Sequence, residues 1–267
     1  MLLLLVNAGC SATTESITDI NRKIENRYNS FTTARYRYTE YHYQDGILQN
    51  KTTYFESIKR PDKMRQSISR SYGRVGNVSS VCNGNTLYSL VIPYSAEVID
   101  YVNLPPGMTS YCGYFIEKNL DKWQIPMEIA DRTKYKVETS EGSYDGKNAI
   151  KAVVTVLMSE EAKQKYLADG KTPPAEKVVI YWFDKDSLTI LKEETHGFST
   201  ISQIAATKGG PTTVLSEITY ETNFERIYGD FQFDIDIPDS EFEINPADYP
   251  GVEFKRTTVD LQDKMEK

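Results

Sequence analysis

The feature that most constrains the fold is a run in which aromatic and charged residues alternate one by one. Tyr36 and Tyr38 alternate with arginines, and Tyr41 and Tyr43 follow in the opposite phase. Alternation with a period of two is typical of a β-strand with one buried face. The change of phase predicts a bulge near Thr39–Glu40, because an extra residue shifts every later side chain to the other face.

Short turn signals divide the rest of the chain into strands of this kind. Asp45–Gly46, Asn83–Gly84 and Asp145–Gly146 favour tight hairpin turns, and the polar residues 184–187 favour another. Runs rich in Val, Ile, Thr, Tyr and Phe lie between these signals. The pattern predicts about ten or eleven strands, most of them antiparallel.

Three segments have the pattern of helices instead. Apolar residues recur at helical spacing over residues 17–31, and residues 111–123 place apolar residues on one side. Residues 159–170 begin with serine, continue with acidic residues and end with glycine, which is typical of a short capped helix. There is no internal repeat and no linker that would separate two domains. A large, curved, mostly antiparallel sheet with helices on one side is therefore expected.

The charge of the chain excludes some partners. The formal net charge is −7, and Lys and Arg are scattered rather than clustered. A nucleic-acid partner is therefore not expected, because binding to phosphates needs a basic field. No stretch approaches the ~18 consecutive apolar residues of a membrane-spanning helix.

The N-terminus has a short apolar run that ends in small residues before a cysteine. Such a run is typical of the apolar core of an export signal. Ala8, Gly9 and Cys10 resemble the lipobox at which lipoprotein precursors are lipidated on cysteine, although Asn7 stands where leucine is usual. We therefore expect residues 1–10 to be a lipoprotein signal segment and Cys10 to be the lipidation site.

This interpretation sets the expected location of the protein. Residues 11–16 would be a polar tether, and acyl chains on Cys10 would hold the domain on the extracytoplasmic face of the cell membrane. Two alternatives stay open. The segment could be a simple secretion signal, or it could be a buried N-terminal strand with a core cysteine.

Two further cysteines remain as a pair if Cys10 is lipidated. Disulfides form and persist in exported proteins, so export favours a bond between Cys82 and Cys112, with two buried thiols as the alternative. Together with the isolated His42 and His196, these residues show no spacing typical of metal ligands. No metal site is expected.

The sequence contains none of the usual catalytic motifs. There is no G-x-S-x-G elbow, no phosphate-binding glycine loop and no H-E-x-x-H. We therefore expect that the protein is not an enzyme and uses no cofactor. A secreted hydrolase stays an alternative, because paired catalytic carboxylates leave no spacing pattern in a sequence.

Five segments, in order, resemble the LolA and LolB family of periplasmic lipoprotein carriers and its wider superfamily. They are INRKIENRYNSF, SIKRPDKMR, VCNGNTLYSLVIP, WFDKDSLTILKEE and DFQFDIDIP, and they run from about residue 17 to residue 243. The second is similar to the family's lysine-arginine-proline strand junction. The third is similar to its Asp-Gly hairpin, with Asn83–Gly84 for Asp-Gly and Tyr88 for Trp.

This resemblance implies a fold and a site. The fold would be mainly β: an unclosed antiparallel half-barrel of about eleven strands, with a helical lid over an apolar cavity for acyl chains. It would occupy residues 17–250, followed by a C-terminal tail at 251–267. By position, Arg60 would be the arginine that bonds to the lid and gates it. Tyrosine offers an apolar ring and a polar tip, and the residues expected to line the cavity are Tyr36, Tyr38, Phe55 and Tyr88.

The chain also departs from the family's soluble carrier. It has its own lipobox-like Cys10, a possible disulfide and an apparent insertion around residues 158–174. These departures favour a surface-anchored relative that binds acyl chains of lipids or lipoproteins and carries or transfers them. The alternative is a sensor module of the same fold that contacts a membrane-bound regulatory protein.

Overall fold

The computed structural model describes residues 17–70, 78–120, 133–168, 170, 173, 176–205 and 213–262. The helices are α1 (Ile17–Ser30), α2 (Tyr111–Leu120) and α3 (Glu160–Ala168). The strands are β1 (Thr33–Gln44), β2 (Ile47–Lys59), β3 (Lys63–Arg70), β4 (Val78–Asn83), β5 (Thr86–Val91), β6 (Ser95–Val102), β7 (Tyr135–Tyr144), β8 (Lys147–Val156), β9 (Lys177–Asp184), β10 (Ile190–Ala205), β11 (Thr213–Phe233) and β12 (Phe254–Asp260). The predicted signal segment, Cys10 and the tether lie outside the described residues.

The strands form one unclosed sheet in the order β12-β6-β5-β4-β3-β2-β1-β11-β10-β9-β8-β7. Every neighbouring pair is antiparallel except β12 and β6, which are parallel. The predicted hairpin turns are present, and Asp45 and Gly46 both have positive φ, as a two-residue turn between right-twisted strands requires. The predicted class, a mainly β, unclosed half-barrel with helices, is confirmed.

The described residues form twelve strands rather than the expected ten or eleven. Some segments that were predicted as two strands form one, and β12 was not predicted. β10 continues through Gly197, which stays paired with Thr222, so two predicted strands are one. β11 likewise continues past Gly229 to Phe233, and Asp230 has a φ of 57° at an irregular point of its register. Gly197, Gly229 and Asp230 resemble strand ends in the sequence, but in the structure each strand continues past them.

The segment that we separated as a tail at 251–267 contributes the edge strand β12. Phe254–Asp260 pairs with β6 from Ala96 to Val102. β12 and β6 are not consecutive in the chain. Residues 235–249, which we call the outer strap, cross one face of the sheet and lead to β12 beside β6. A parallel pairing made over such a distance leaves no local pattern in the sequence.

The helices α1 and α2 cover one face of the sheet, which we call the inner face, and the outer strap crosses the opposite, outer face. The main core lies on the inner face and contains the apolar side of α1, as the helical spacing predicted. Its α1 and α2 members are Ile20, Ile24, Tyr28, Cys112, Ile116 and Leu120. A smaller core on the outer face packs Val81 against Ile237 and Phe242 of the strap.

The bulge that we predicted near Thr39–Glu40 is not present. The register of β1 runs through this point without interruption against both neighbours. The irregularities lie between Arg35 and Arg37 on the β11 side and between His42 and Tyr43 on the β2 side. The aromatic phase changes because a glutamate, rather than a tyrosine, takes the inner position after Tyr38.

Candidate functional site

The inner face is lined by aromatic rings. The alternation in β1 directs Tyr36 and Tyr38 inward, where both are buried. The ring centroid of Tyr38 lies 4.5 Å from that of Tyr54 on β2, and that of Tyr36 lies 5.3 Å from that of Phe231 on β11. The result is a continuous aromatic surface across three adjacent strands.

Helix α1 packs in the same core beside this aromatic surface, where the Tyr28 ring lies 6.5 Å from that of Phe233. Ile20, Ile24 and Tyr28 lie one turn apart on its buried side, and Phe31 follows the helix. The Tyr28 hydroxyl accepts a hydrogen bond from the Ile190 backbone N–H at 3.1 Å. Burial raises the pKa of Tyr28 well above its usual range. The helix is therefore docked by apolar contacts and by a neutral tyrosine.

Arg60 contacts the C-terminal end of α1. Its guanidinium donates to the carbonyl oxygens of Tyr28 and Asn29, both at 3.0 Å, and lies 4.6 Å from the ring centroid of Phe31. Its Nη2 is also 3.6 Å from Glu117 of α2. A cation is favourable at the C-terminal end of a helix, where carbonyl groups are left without helical partners.

Helix α2 is attached to the sheet covalently. Cys112 in its first turn forms a disulfide with Cys82 on β4, with a Cα–Cα distance of 5.5 Å, which confirms the predicted pairing. The backbone N–H of Cys112 also donates to Gly84 in the β4–β5 turn. The two helices on the inner face therefore differ, since α2 is bonded to the sheet and α1 is held by non-covalent contacts.

A carboxylate lies within the aromatic surface. Glu56 on β2 is 3% exposed. It accepts hydrogen bonds from the hydroxyls of Tyr36 and Tyr38 and from the side-chain amide of Gln66. These donors come from β1 and β3, the two strands that flank β2. They satisfy a group that would otherwise be costly to bury.

A second polar group on the inner face is centred on Arg226 of β11. Its guanidinium donates to Glu40 on β1 at 2.6 Å and to Glu193 on β10 at 2.7 Å. The guanidinium carbon lies 5.4 Å from the ring centroid of Tyr38 and 4.8 Å from that of Phe224. Three strands thus contribute one ion-pair network between aromatic rings.

Burial shifts the proton affinities in this network. It raises the pKa of Glu193, an effect that Arg226 only partly offsets. Burial also raises the pKa of Tyr38 and Tyr228 well above the usual range. Burial alone would lower the pKa of Arg226, but Tyr228 and the two carboxylates raise it, and the net direction is upward. The tyrosines are therefore neutral, and Arg226 keeps its charge.

A cavity of about 290 Å³ opens at the N-terminal half of α1. Ile20 and Lys23 of the helix form one wall, and the β7–β8 hairpin forms the other through Ile150 and neighbouring residues. Leu188 of the β9–β10 turn closes the end. Helix α1 is thus held by Arg60 at its C-terminal end and borders a cavity near its other end.

The structure separates the four residues that we predicted to line a cavity. Tyr36 and Tyr38 lie on the inner face. Phe55 is paired with Arg37 and is half exposed on the outer face, and Tyr88 packs there against the smaller core around Phe242. The placement of Phe55 and Tyr88 in an inner cavity is therefore corrected. The sequence shows which residues of a strand share a face, but not which face the helices cover.

The polar residues of the inner face were not predicted from the sequence. Glu40, Glu56, Glu193 and Arg226 resemble the many charged residues on solvated strand faces. One signal was available for Glu40, since it lies two residues after Tyr38 and so shares its face. Its partners come from strands about 150 and 190 residues away, and no local pattern connects them.

The described ranges lack the features of two other kinds of site. No helix there has the length and apolar character needed to cross a membrane. In the same part of the chain, no three His, Cys, Asp or Glu side chains come together in a way that could hold a metal ion.

Several solved structures are similar to this chain. A LolA superfamily protein from Nitrosomonas europaea has 11% sequence identity and a TM-score of 0.33, and the match covers 86% of this chain and 99% of that one. An outer membrane lipoprotein-sorting protein domain from Vibrio parahaemolyticus has 11% identity and a TM-score of 0.31, over 84% and 94%. MucB has 10% identity and a TM-score of 0.40, over 84% of this chain and 62% of its own. No protein-family model and no curated protein matches the sequence.

The first of these neighbours is a protein of the LolA superfamily, which the five sequence segments also resemble. Similarity at this level does not assign a function.

Proposed function

We propose that this protein binds an acyl chain of a lipid or lipoprotein between α1 and the aromatic inner face, and carries or transfers it. The observation that supports this is the unequal attachment of the two helices. Helix α1, which shares the inner core with Tyr36 and Tyr38, is docked by apolar contacts and by Arg60, whereas α2 is bonded to β4 through its disulfide. Helix α1 can therefore leave the sheet while α2 stays in place.

The exchange of α1 for a ligand is energetically feasible. Burial of apolar surface contributes about 25 cal/mol per Å², and an acyl tail offers the same kind of surface as Ile20, Ile24 and Phe31. The tail would replace contacts that α1 gives up. The free-energy difference between the closed and loaded states is therefore smaller than the free energy of burying the apolar side of α1 or that of burying the tail. The cavity beside Ile20 and Lys23 is the entry that we propose.

Arg60 is the lid-gating residue in this proposal. It satisfies two carbonyl oxygens at the end of α1, and its loss would weaken the closed state without removing any residue from the inner face. The role proposed here is binding without catalysis. The carboxyl groups of the inner face already interact with Arg226 or with tyrosine hydroxyls.

We also propose that the protein is extracytoplasmic and anchored through lipidated Cys10. The lipobox-like sequence supports this, and so does the Cys82–Cys112 disulfide, since such bonds persist in oxidising compartments. A Cys10→Ser variant tests the anchor. We expect the unaltered protein in the membrane fraction and the variant in the soluble fraction, and an unchanged distribution would overturn the anchor.

The binding function is tested on the full chain purified without detergent. Native mass spectrometry should detect a lipid at about one per chain, and a fluorescent fatty acid should bind to the delipidated protein. An Arg60→Gln variant should take up the probe faster, because α1 opens more often. The matched control is Arg22→Gln, since Arg22 is an exposed α1 residue that forms an ion pair with Asp19 of the same helix, and its uptake rate should be unchanged.

Absence of both a co-purified lipid and probe uptake would overturn acyl-chain binding. That result would favour the sensor alternative, in which the same fold contacts a membrane-bound protein. Equal uptake rates in the Arg60→Gln variant and the unaltered protein would be compatible with acyl-chain binding. They would show that Arg60 does not control the opening of α1.

A further inference from the structure

The outer face carries a trough that the proposed inner site does not use. Two cavities of about 360 and 400 Å³ lie side by side there. Both are lined by Phe55, Arg65 and Ser67, so they adjoin at these residues. Together they form one depression across the strands, which we call the outer trough.

The floor of the outer trough is one row of paired residues. Arg37 pairs with Phe55, Phe55 with Ser67, Ser67 with Ser79 and Ser79 with Leu90. The two serines are small, so the floor is low between the larger side chains of Phe55 and Leu90. The neighbouring row of the sheet is covered by the outer strap, whose Glu241 and Tyr249 reach the trough. The strap is therefore one wall.

One end of the outer trough is basic. Arg35 forms an ion pair with Glu241 at 2.6 Å, and Arg37 forms one with Asp230 at 3.0 Å. Arg65 donates to the backbone carbonyl of Glu241. Three outer-face guanidiniums thus share two outer-face carboxylates. Glu56 also lines this cavity, but Tyr36, Tyr38 and Gln66 hold its carboxylate on the inner face.

The other end of the outer trough is apolar. Val78, Leu90, Ile92 and Tyr249 line it, and the half-exposed ring of Phe55 lies between the two ends. The hydroxyl of Ser79 is buried on the floor and has no hydrogen-bond partner among the described residues.

We propose that the outer trough binds a single-tailed anionic amphiphile. The phosphate or carboxylate head would lie at Arg35 and Arg37, and the tail would run over Phe55 and the two serines toward Ile92. The trough crosses five strands, from β1 to β5, so it spans about 19 Å at the usual strand spacing. An acyl tail fits a trough that crosses strands, because it needs no main-chain partners. A peptide strand would have to align with a sheet edge to gain them.

This site is distinct from the proposed inner site. Phe55 and Arg37 face away from α1, and binding here requires no movement of the helices. The two proposals can therefore fail separately. A ligand in the outer trough would also lie beside the strap and extend the protein's lipid contacts to its outer face.

The test uses dodecyl phosphate, laurate and dodecyltrimethylammonium with the full chain, each below its micelle concentration, in isothermal titration calorimetry. We expect the two anionic probes to bind and the cationic probe not to bind at this site. Phe55→Ala and Arg37→Gln should each weaken binding of the anionic probes about tenfold, because one removes the central apolar contact and the other removes a charge-assisted hydrogen bond. A tighter complex with dodecyl phosphate would indicate a phosphate head, and a tighter complex with laurate a carboxylate.

Two controls separate the outer trough from the inner site. Ile47→Ala removes another exposed apolar side chain of β2 and should leave binding unchanged. A laurate analogue with a photoreactive tail should label peptides of β2 to β5 in the unaltered protein, and this labelling should fall in Phe55→Ala. Equal affinity in all variants, binding of the cationic probe alone, or labelling confined to α1 and β10–β11 would overturn the outer site. The last result would at the same time support the inner one.

Discussion

Phe55 and Glu56 are consecutive residues of β2, but the phenylalanine is half exposed and the glutamate is 3% exposed. Adjacent strand residues point to opposite faces, and here the charged one is directed inward. Glu56 is buried because Tyr36, Tyr38 and Gln66 supply donors to it. Phe55 is exposed because the strap leaves the outer trough uncovered. Residue type alone would predict the reverse arrangement.

This inversion predicts unequal effects of two neighbouring substitutions. Glu56→Ala removes the acceptor of two buried tyrosine hydroxyls and should lower the free energy of unfolding by about 1–3 kcal/mol. Phe55→Ala should change it by no more than about 0.5 kcal/mol, as is usual for surface positions. Urea unfolding of both variants checks this. A larger loss for Phe55→Ala than for Glu56→Ala would contradict the assignment of the faces.

Removal of Arg226 should be among the most damaging changes on the inner face. Arg226→Ala would leave Glu40 and Glu193 partly buried without their counter-ion, and we expect a loss of about 3–5 kcal/mol in unfolding free energy. The matched control is Arg256→Ala, whose guanidinium is exposed and pairs with Asp100, and which should lower the unfolding free energy far less, as is usual for an exposed ion pair. Denaturant unfolding measures both variants. Similar losses would mean that the network contributes no more than a surface pair.

The raised pKa of Glu193 predicts a pH dependence with a definite sign. The folded protein holds this proton more tightly than the unfolded chain, whose carboxyl has its ordinary pKa of 4.5. The stabilisation from this group is therefore complete below pH 4.5 and is lost as the pH rises through the folded-state pKa. Glu193→Gln lacks this loss. Between pH 4.5 and pH 7 the unfolding free energy of Glu193→Gln should thus rise relative to that of the unaltered protein. If the difference between the two proteins stayed constant or fell over this range, the raised pKa of Glu193 would be contradicted.

Loss of Arg60 should loosen α1 selectively. Arg60→Gln removes charged hydrogen bonds to Tyr28 and Asn29, bonds that are typically worth about 1.5–3 kcal/mol each. Amide hydrogen exchange should be about tenfold faster, or more, in α1. The amides of α2 should be much less affected, because Cys112 stays bonded to β4 and the contact of Arg60 with Glu117 is an exposed ion pair. Equal acceleration in both helices would indicate general destabilisation rather than release of one helix.

Removal of the disulfide should have the complementary effect. A bond that closes a loop of 30 residues contributes about 3–4 kcal/mol in the chain-entropy model. A Cys82→Ser, Cys112→Ser double variant should lose that much unfolding free energy and show faster exchange in α2. If reductant changed neither the transition midpoint nor α2 exchange in the unaltered protein, α2 would be held by packing alone.

Much of the local structure follows from patterns that act over a few residues. The hairpin turns, the apolar side of α1 and the capped helix α3 were all predicted from spacing, and Ser159 accepts from the Ala162 N–H as a cap should. The Cys82–Cys112 bond followed from counting the cysteines of a chain that was expected to be exported. These features depend on interactions between residues close in the chain, or on a choice among very few partners.

The candidate site depended much less on local patterns. Alternation correctly placed Tyr36 and Tyr38 on one face together, but Phe55 and Tyr88 were assigned to the wrong face. Arg60 was singled out through resemblance to a family, and the contacts it makes with α1 are visible only in the folded chain.

The sequence by itself determined that Tyr36 and Tyr38 share a strand face and which face of α1 is apolar, because a period of two or of 3.6 is a property of the local backbone. Only the tertiary structure decided which sheet face the helices cover, that Glu40, Glu193 and Arg226 meet, and that β12 lies beside β6. These outcomes depend on strand order and on long-range packing. Their energies belong to contacts between residues up to about 190 positions apart, and a local pattern carries no information about them.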